Sequence, residues 1–531
     1  MTTPRPRSLA PEELGFVPRP RVSWLSPLLL LGTAVRVVLA KLLGAYLDKR
    51  ELQHQFPQPV FDHSEGELWL DYVADLGDGF DATYTVAELI GRPELEVEGR
   101  TLPRGRVLVM GGDQVYPTAS WQDYEDRFKG PYQASLPAGD GGNLYALPGN
   151  HDWYDGLTAF LRMFGHRRSV GGRATDQVRS YFALKLPGNW WLYAIDSETE
   201  AYLDEPQLDY FAAAARDLAA GDKVIVAVSR PTWVLSASDP RIYDTVDYLI
   251  RTIITPKGAT IPLMLSGDLH HYSRYATPDG SRQLVTSGGG GAYLSGTHQL
   301  PDAITCPHPL STARNSSPAE SFRREHEYPT KAESRRWALG VFWRMPMRNP
   351  GFLVVLGALH FGLLLALLGP PTTAVGAAAV LFGVSVVFAK PTLGPWKWQA
   401  LLAGFLHGTA HLGFALLCVW GWTRFDLNDW WLFLDLPLAM AGGTALVAAY
   451  LYVAGLLGVN TNELFAGQAI EHAKGFLRIH ITATGEVTIY PIAIPRANRV
   501  WLANPNGAAD APWIVPQYPV PVRFIEPPLS I

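Results

Sequence analysis

Five short loops hold the residues best equipped for chemistry. They read Asp75-Leu76-Gly77-Asp78-Gly79, Gly112-Asp113-Gln114-Val115-Tyr116, Gly149-Asn150-His151-Asp152, Ser229-Arg230-Pro231 and Gly267-Asp268-Leu269-His270-His271-Tyr272. Their carboxylate, amide, phenol and imidazole groups are ligands for hard or borderline divalent ions. A lone Gly-Asp pair is ordinary turn chemistry. Gly-Asn-His-Asp behind an apolar run, in series with the other loops, is far more specific. Two ions held roughly 3.5–4 Å apart need a bridging carboxylate. Asp113, in the second loop of the set, is the natural bridge.

These loops need rigid elements behind them. Short apolar runs at Val107–Met110, Leu144–Leu147, Trp191–Ile195, Val224–Val228, Pro262–Leu265 and Leu284–Thr286 read as buried strands. Pro206–Leu218 and Tyr243–Thr252 read as helices between them. The alternation over residues 60–300 predicts an α/β layered domain whose chemistry lies at strand ends. Ser287-Gly288-Gly289-Gly290-Gly291 follows one strand and reads as a tight loop near the centre. It lacks a P-loop lysine and any G-x-S-x-G pattern.

The order of the loops resembles that of the calcineurin-like metallophosphoesterases. In detail it is similar to the purple acid phosphatase variant, with its DxG, GDxxY, GNHD or GNHE, VxxH and GHxH motifs. The resemblance spans residues 70–295. It implies a two-layer β-sandwich flanked by helices, carrying two metal ions, with Mn or Fe favoured and Mg or Zn as alternatives. The first ion would take Asp75, Asp113, Tyr116 and His270. The second would take Asp113, Asn150 and two histidines, but this chain has Ser229 and Asp268 at the histidine positions. Asp268 still binds cations and favours a harder ion. Ser229 is a poor ligand, so the second site is weak, filled only with substrate, or completed by His271. A metal-activated hydroxide would attack phosphorus, with His151 as general acid or transition-state donor and Asp152 orienting it. Asp78, His271 and Arg274 are further candidates for metal or substrate contact. The reading is hydrolysis of a phosphorylated substrate, such as a lipid phosphate, a nucleotide-type ester or a phosphoprotein. The rival is a catalytically inactive membrane sensor or scaffold that binds a phosphorylated ligand.

The rest of the chain places this domain. Charged residues are only 18% of the 531, against 48% hydrophobic, a balance that suits a soluble domain joined to membrane segments. The net charge of −5 gives no pull toward nucleic acid. Two cysteines, Cys306 and Cys418, imply no disulfide framework and favour a reducing compartment. Residues 1–55 form a basic segment. Within it Trp24–Leu47 is apolar but carries Arg36 and Lys41, each costing roughly 2.5–3.5 kcal/mol at a bilayer centre. An interfacial helix avoids most of that cost; a span and a buried helix are the other readings. Residues 301–348 read as a linker. Gly351–Leu368, Thr373–Ala389, Trp398–Trp420 and Leu436–Gly458 then read as four transmembrane helices. Arg335, Arg336, Arg344 and Arg348 precede the first, and Lys390 and Lys397 follow the second. The positive-inside rule puts the catalytic domain and C-terminus in the cytoplasm. Residues 459–531 are expected to carry a small β-hairpin, Phe476–Ile481 with Val487–Ile494, packed on the catalytic domain. His360, His407 and His411 inside the spans read as interhelical hydrogen-bonding groups.

Overall fold

We describe a computed structural model covering residues 5–43, 53–198, 203–311, 313, 315–393, 398–425 and 432–531. The end of the Trp24–Leu47 segment past residue 43, and Trp396, Lys397, Trp430 and Trp431, lie outside the described residues.

The strands of the α/β domain are β1 (Leu68–Val73), β2 (Val107–Met110), β3 (Asn143–Ala146), β4 (Phe182–Leu186), β5 (Trp190–Ile195), β6 (Lys223–Val228) and β7 (Thr260–Ser266). They continue with β8 (Tyr272–Ala276), β9 (Gln283–Ser287), β10 (Ala303–Cys306), β11 (Glu320–Tyr328), β12 (Lys474–Ile481) and β13 (Val487–Ile494). With short edge strands they make two nine-stranded sheets, one containing the run β13-β12-β1-β2-β3, the other β4-β5-β6-β7-β9-β8-β11-β10. The central strands run as unbroken apolar stretches because both of their faces are covered. Leu70, Tyr72, Val107 and Val109 of one sheet face Leu192, Ile225, Leu263 and Val285 of the other. The alternate residues Leu108 and Met110 pack under the helix Phe80–Gly91. Val224 and Val226 pack under Glu205–Ala214 and Asp244–Leu249. This is the two-layer sandwich flanked by helices.

Strands β1, β2 and β3 are mutually parallel, and so are β5, β6, β7 and β9. Loops at the C-terminal ends of parallel strands therefore gather at one end of the sandwich.

Two expectations change. Residues 301–348 are not a linker: they supply β10 and β11, then the helices Lys331–Ala338 and Val341–Arg348. β11 alternates only loosely between buried and exposed positions and buries none of its charges, which masks it in a search for apolar runs. The C-terminal hairpin forms, but it is more than a small appendage. β12 pairs antiparallel with β1 and completes its sheet. Arg478 sits opposite Asp71 in that register and reaches it at 2.7 and 3.2 Å, with both side chains fully buried. Leaving one such charge alone costs about 3–5 kcal/mol. Finally, residues 5–26 of the basic N-terminal segment pack on the α/β domain ahead of its helix. Leu14, Phe16 and Val22 are buried against the domain, and Arg19 pairs with the buried Asp126 at 2.6 Å.

The helix α1 (Pro27–Leu43) follows. Its Leu28, Leu31, Val35 and Val38 are exposed. Downstream, α2 (Pro350–Leu368), α3 (Pro371–Phe388), α4 (Trp398–Arg424) and α5 (Leu432–Leu456) are long and apolar enough to cross a membrane. Only 6% of α3 is buried within the chain, so a soluble helical core does not account for it and lipid is the natural cover. α6 (Thr461–Ala466) leads back to β12. His360 Nε2 lies 2.7 Å from His411 Nδ1, and His411 Nε2 lies 2.9 Å from His407 Nε2. His411 turns a different nitrogen to each neighbour, so the trio is a hydrogen-bonded chain and not one ion's ligand set. Cys306 and Cys418 are both free thiols.

Candidate metal centre

Asp75 follows β1, Asp113 follows β2, Asn150 follows β3, Ser229 follows β6 and Asp268 follows β7. Asp75, Asp113 and Asp268 all take left-handed backbone conformations, at φ 61°, 52° and 65°. A left-handed turn costs an L-residue about 1–2 kcal/mol, least for Asp and Asn. Three such turns at strand ends of both sheets mark a site whose geometry outranks local comfort. Neighbouring backbones come very close. A Cβ at Gly149 would fall 2.2 Å from Asp113 Oδ1, and one at Gly288 would fall 2.2 Å from Asp75 Oδ2. The glycine run 288–291 is thus the floor beneath Asp75, the tight loop its composition predicts.

The hydroxyl of Tyr116 is the focus. It stands 3.1 Å from Asp75 Oδ1, 3.1 Å from Asp113 Oδ2 and 3.0 Å from His270 Nε2. His270 Nδ1 lies 2.9 Å from the Tyr293 carbonyl, which can only accept, so Nδ1 bears the proton and Nε2 a lone pair. Two carboxylate oxygens and an imidazole lone pair therefore converge on one phenol hydroxyl. The adjacent Asp75 Oδ2 and Asn150 Oδ1 are buried without any partner. Burial, then the neighbouring carboxylates Asp113 and Asp268, pushes the Asp75 carboxyl well above its usual range. Burial lifts Asp113 to about 7, and burial together with Asp113 lifts Asp268 to about 6. A surplus of buried lone pairs and repelling acids is what a cation would relieve, so these residues fit a metal. Among the described residues no three His, Cys, Asp or Glu side chains alone are placed to enclose an ion; Asp75, Asp113 and His270 meet instead at the Tyr116 hydroxyl.

The second position is less regular. Ser229 Oγ donates to Glu198 Oε1 at 2.6 Å, and Glu198 Oε2 holds Arg230 Nε at 3.2 Å. Glu198 is buried, and burial raises its carboxyl to about 7. The Arg230 charge acts on both Asp113 and Asp268. Sequence reasoning missed Glu198. The signal was there, since Asp196-Ser197-Glu198 directly follows β5, as one more strand-end loop.

His151 donates its backbone N–H to Asp113 Oδ1 at 2.9 Å. Its Nδ1 is committed to the Pro117 carbonyl at 2.6 Å, which leaves Nε2 free. Burial pulls its pKa down to about 4. Asp152 does not orient this ring. Its carboxylate folds back to accept from the backbone N–H groups of Gly149 and Gln114 and from the Tyr124 hydroxyl. It ties the second and third loops together. Asp78 is likewise a clamp, accepting from Val22 N, Trp24 Nε1 and Tyr293 N at 2.7–3.1 Å. Arg274 is spent on a buried bidentate pair with Glu526 at 2.8 and 2.7 Å and is not free for phosphate. His271 is buried with both ring nitrogens unpartnered and no hydrogen bond into the centre.

Trp24 roofs the site. Its ring meets Tyr116, His151 and Tyr293 edge-on at centroid distances of 5.7, 5.9 and 5.1 Å. Residues 69–272, less than half of the chain, match the family model of calcineurin-like phosphoesterases. No curated protein matches the chain. Among solved structures it is similar to GAP50, the anchor in the inner membrane complex of Plasmodium. That likeness has 13% identity and a TM-score of 0.33, over 50% of this chain and 81% of that one.

Proposed function

We propose that this chain is a membrane-anchored, metal-dependent phosphoesterase. The observation that carries the reading is the convergence of Asp75, Asp113 and His270 on the Tyr116 hydroxyl beside two orphaned oxygens. Those four residues would hold one ion; Asp113, Asn150 and Asp268 would contribute to a second. The phenol and the carboxylate-rich set support Mn or Fe, with Mg or Zn as alternatives. When bound, such ions supply an acidified water and polarise phosphoryl oxygens. The protein's own groups do the rest. Arg230, aimed by Glu198, adds positive charge beside the second position and favours an anionic phosphoryl group there. His151, neutral and fixed through Nδ1, offers Nε2. The charge of an incoming phosphate raises its proton affinity, so it can take up a proton and release it to the leaving alcohol.

The direct test is metal content of the purified chain, measured together with hydrolysis of bis-p-nitrophenyl phosphate and p-nitrophenyl phosphate under added Mn²⁺. Metal uptake with turnover of either ester supports the reading; absence of bound metal overturns it. A second reading rests on Ser229 and the Glu198–Arg230 pair, which stand where a ligand is expected: a sensor that binds a phosphorylated ligand without turnover. Metal uptake with neither ester cleaved would select it.

His151→Ala is expected to keep its metal while losing about 10²–10⁴ in rate, the usual share of a positioned acid or base. Elemental analysis beside kcat checks this; loss of metal would make His151 a structural support.

For orientation, we assign the phosphoesterase domain and C-terminus to the cytoplasm, on Arg335, Arg336, Arg344, Arg348 and Lys390 at the helix flanks. A reporter fused at the C-terminus should work only as a cytoplasmic one, and a reporter near Pro371 only outside. A C-terminal fusion reading the outside reverses the assignment.

A further inference from the structure

The centre and the membrane-type helices are joined within very few residues. Leu25, next to the roof residue Trp24, donates its backbone N–H to Asn349 Oδ1 at 3.2 Å, and Asn349 immediately precedes α2. Pro27, the first residue of α1, comes 3.7 Å from where a Cβ on Gly351 of α2 would lie. On the other side, Tyr293, whose carbonyl orients His270, donates its hydroxyl to Asn462 Oδ1 at 2.8 Å; Asn462 lies in α6, just beyond α5. One end of the four-helix segment thus touches the neighbour of Trp24, which meets Tyr116, and the other touches Tyr293, which meets His270. The core is continuous as well: one buried cluster runs from the sandwich through Val341 and Met345 into Val447 and Leu451 of α5.

Around this junction the surface is apolar. Leu28, Leu31 and Val35 of α1 point outward, and so do Phe342, Trp343 and Met347 of the helix Val341–Arg348. Arg344 and Arg348 lie on that same short helix. These two arginines turn inward to Gln468 and Ala469, while the outward apolar face, on a segment that enters an apolar span, suits a helix lying in the headgroup layer. α1 has one further property. Leu29 packs against the cluster of Val22, Tyr116 and Ala292, while the Arg36 guanidinium, exposed, donates to the Thr118 hydroxyl two residues past Tyr116. The helix therefore joins the bilayer surface to the loop of Asp113 and Tyr116.

We infer that the substrate is a phosphoester in the headgroup of a membrane lipid, delivered from the bilayer along α1 and past Trp24. The inference rests on the phosphoesterase reading above. Each headgroup layer is only about 5–7 Å deep beyond the hydrocarbon core. A site braced on the start of α2 and on α6 just beyond the end of α5 lies within reach of that layer. Arg36 supplies a cation for the anionic headgroup, and Trp24 an amphipathic ring suited to the interface. In the reaction the water oxygen joins phosphorus as the bond from phosphorus to the lipid alcohol oxygen breaks. One water proton goes to the departing alkoxide; the other stays with the phosphate product or solvent.

The test uses the full chain with Mn²⁺ in phosphatidylcholine nanodiscs carrying phosphatidic acid as monoester or phosphatidylglycerol as diester. The two soluble p-nitrophenyl esters are assayed in parallel. The probe variant is Leu28→Asp with Leu31→Asp, on the outward face of α1 and away from the candidate ligands. We expect its lipid turnover to fall about tenfold or more while soluble-ester turnover stays within about twofold, a loss of interfacial placement alone. Retained soluble-ester activity also certifies that the variant folds. Wild-type chain that cleaves a soluble ester but neither lipid overturns the inference and leaves the phosphoesterase reading standing. So does a double variant that cleaves lipid as well as wild type. Wild-type chain that cleaves none of the four esters removes the phosphoesterase reading, and the lipid inference with it.

Discussion

Asp113→Ala is expected to empty the centre and abolish hydrolysis of every phosphoester. Asp113 is the carboxylate that both proposed ion positions require. Its Oδ2 lies 3.1 Å from the Tyr116 hydroxyl, and its Oδ1 accepts the His151 backbone N–H at 2.9 Å. Alanine removes a ligand, a bridge and an anchor of the third loop together. Metal catalysis supplies several kcal/mol of transition-state stabilisation, so the loss should reach at least about 10³-fold. The fold should survive, because the substitution also removes a buried acid that burial has pushed up to about 7. Elemental analysis with a thermal unfolding curve checks both halves. Full metal occupancy in this variant would refute the bridging role.

Ending the chain at Ala473 is expected to unfold the α/β domain, although every candidate ligand lies upstream. The deletion takes away β12, whose Phe476, Leu477, Ile479 and Ile481 are all fully buried. Large buried side chains are worth about 2–5 kcal/mol each. It also strands Asp71 without Arg478, for about 3–5 kcal/mol more. Together these exceed a typical domain stability of about 5–15 kcal/mol. The shortened chain should be insoluble or lack a cooperative melt. A soluble, metal-binding product with an unchanged melting temperature would show that β12 is dispensable.

Much of this was legible in the sequence because it is local. β2 occupies the predicted bounds Val107–Met110, and the predicted hairpin of β12 and β13 shifts at only one end. Asp75, Asp113, Tyr116 and His270 do converge, because each follows a parallel strand and the fold collects strand ends. What escaped depends on distant partners. Arg274 looks free beside His270 until Glu526 arrives from 252 residues away. Asp152 looks like a partner for His151 until its carboxylate turns back to the Gly149 N–H. Trp24 reads as part of an apolar helix, yet its indole N–H is held by Asp78 over the centre. β11 hides because its charges outnumber its apolar residues, as on a strand with one wet face.

The Asp71–Arg478 pairing also sets a schedule. The two residues are 407 positions apart. At roughly 5–20 residues per second, a ribosome takes about 20–80 s to deliver the second after the first. All four apolar helices emerge within that interval. Newly made β1 waits with an open edge, the kind of template that invites wrong partners, until β12 reaches it. With the helices crossing as proposed, β12 reaches it only after an even number of crossings. An odd count would strand β12 across the bilayer and leave β1 with one edge unpaired. On the proposed reading, assembly of the centre then depends on correct insertion: a molecule threaded wrongly would lack the completed sheet behind Asp75 and Asp113.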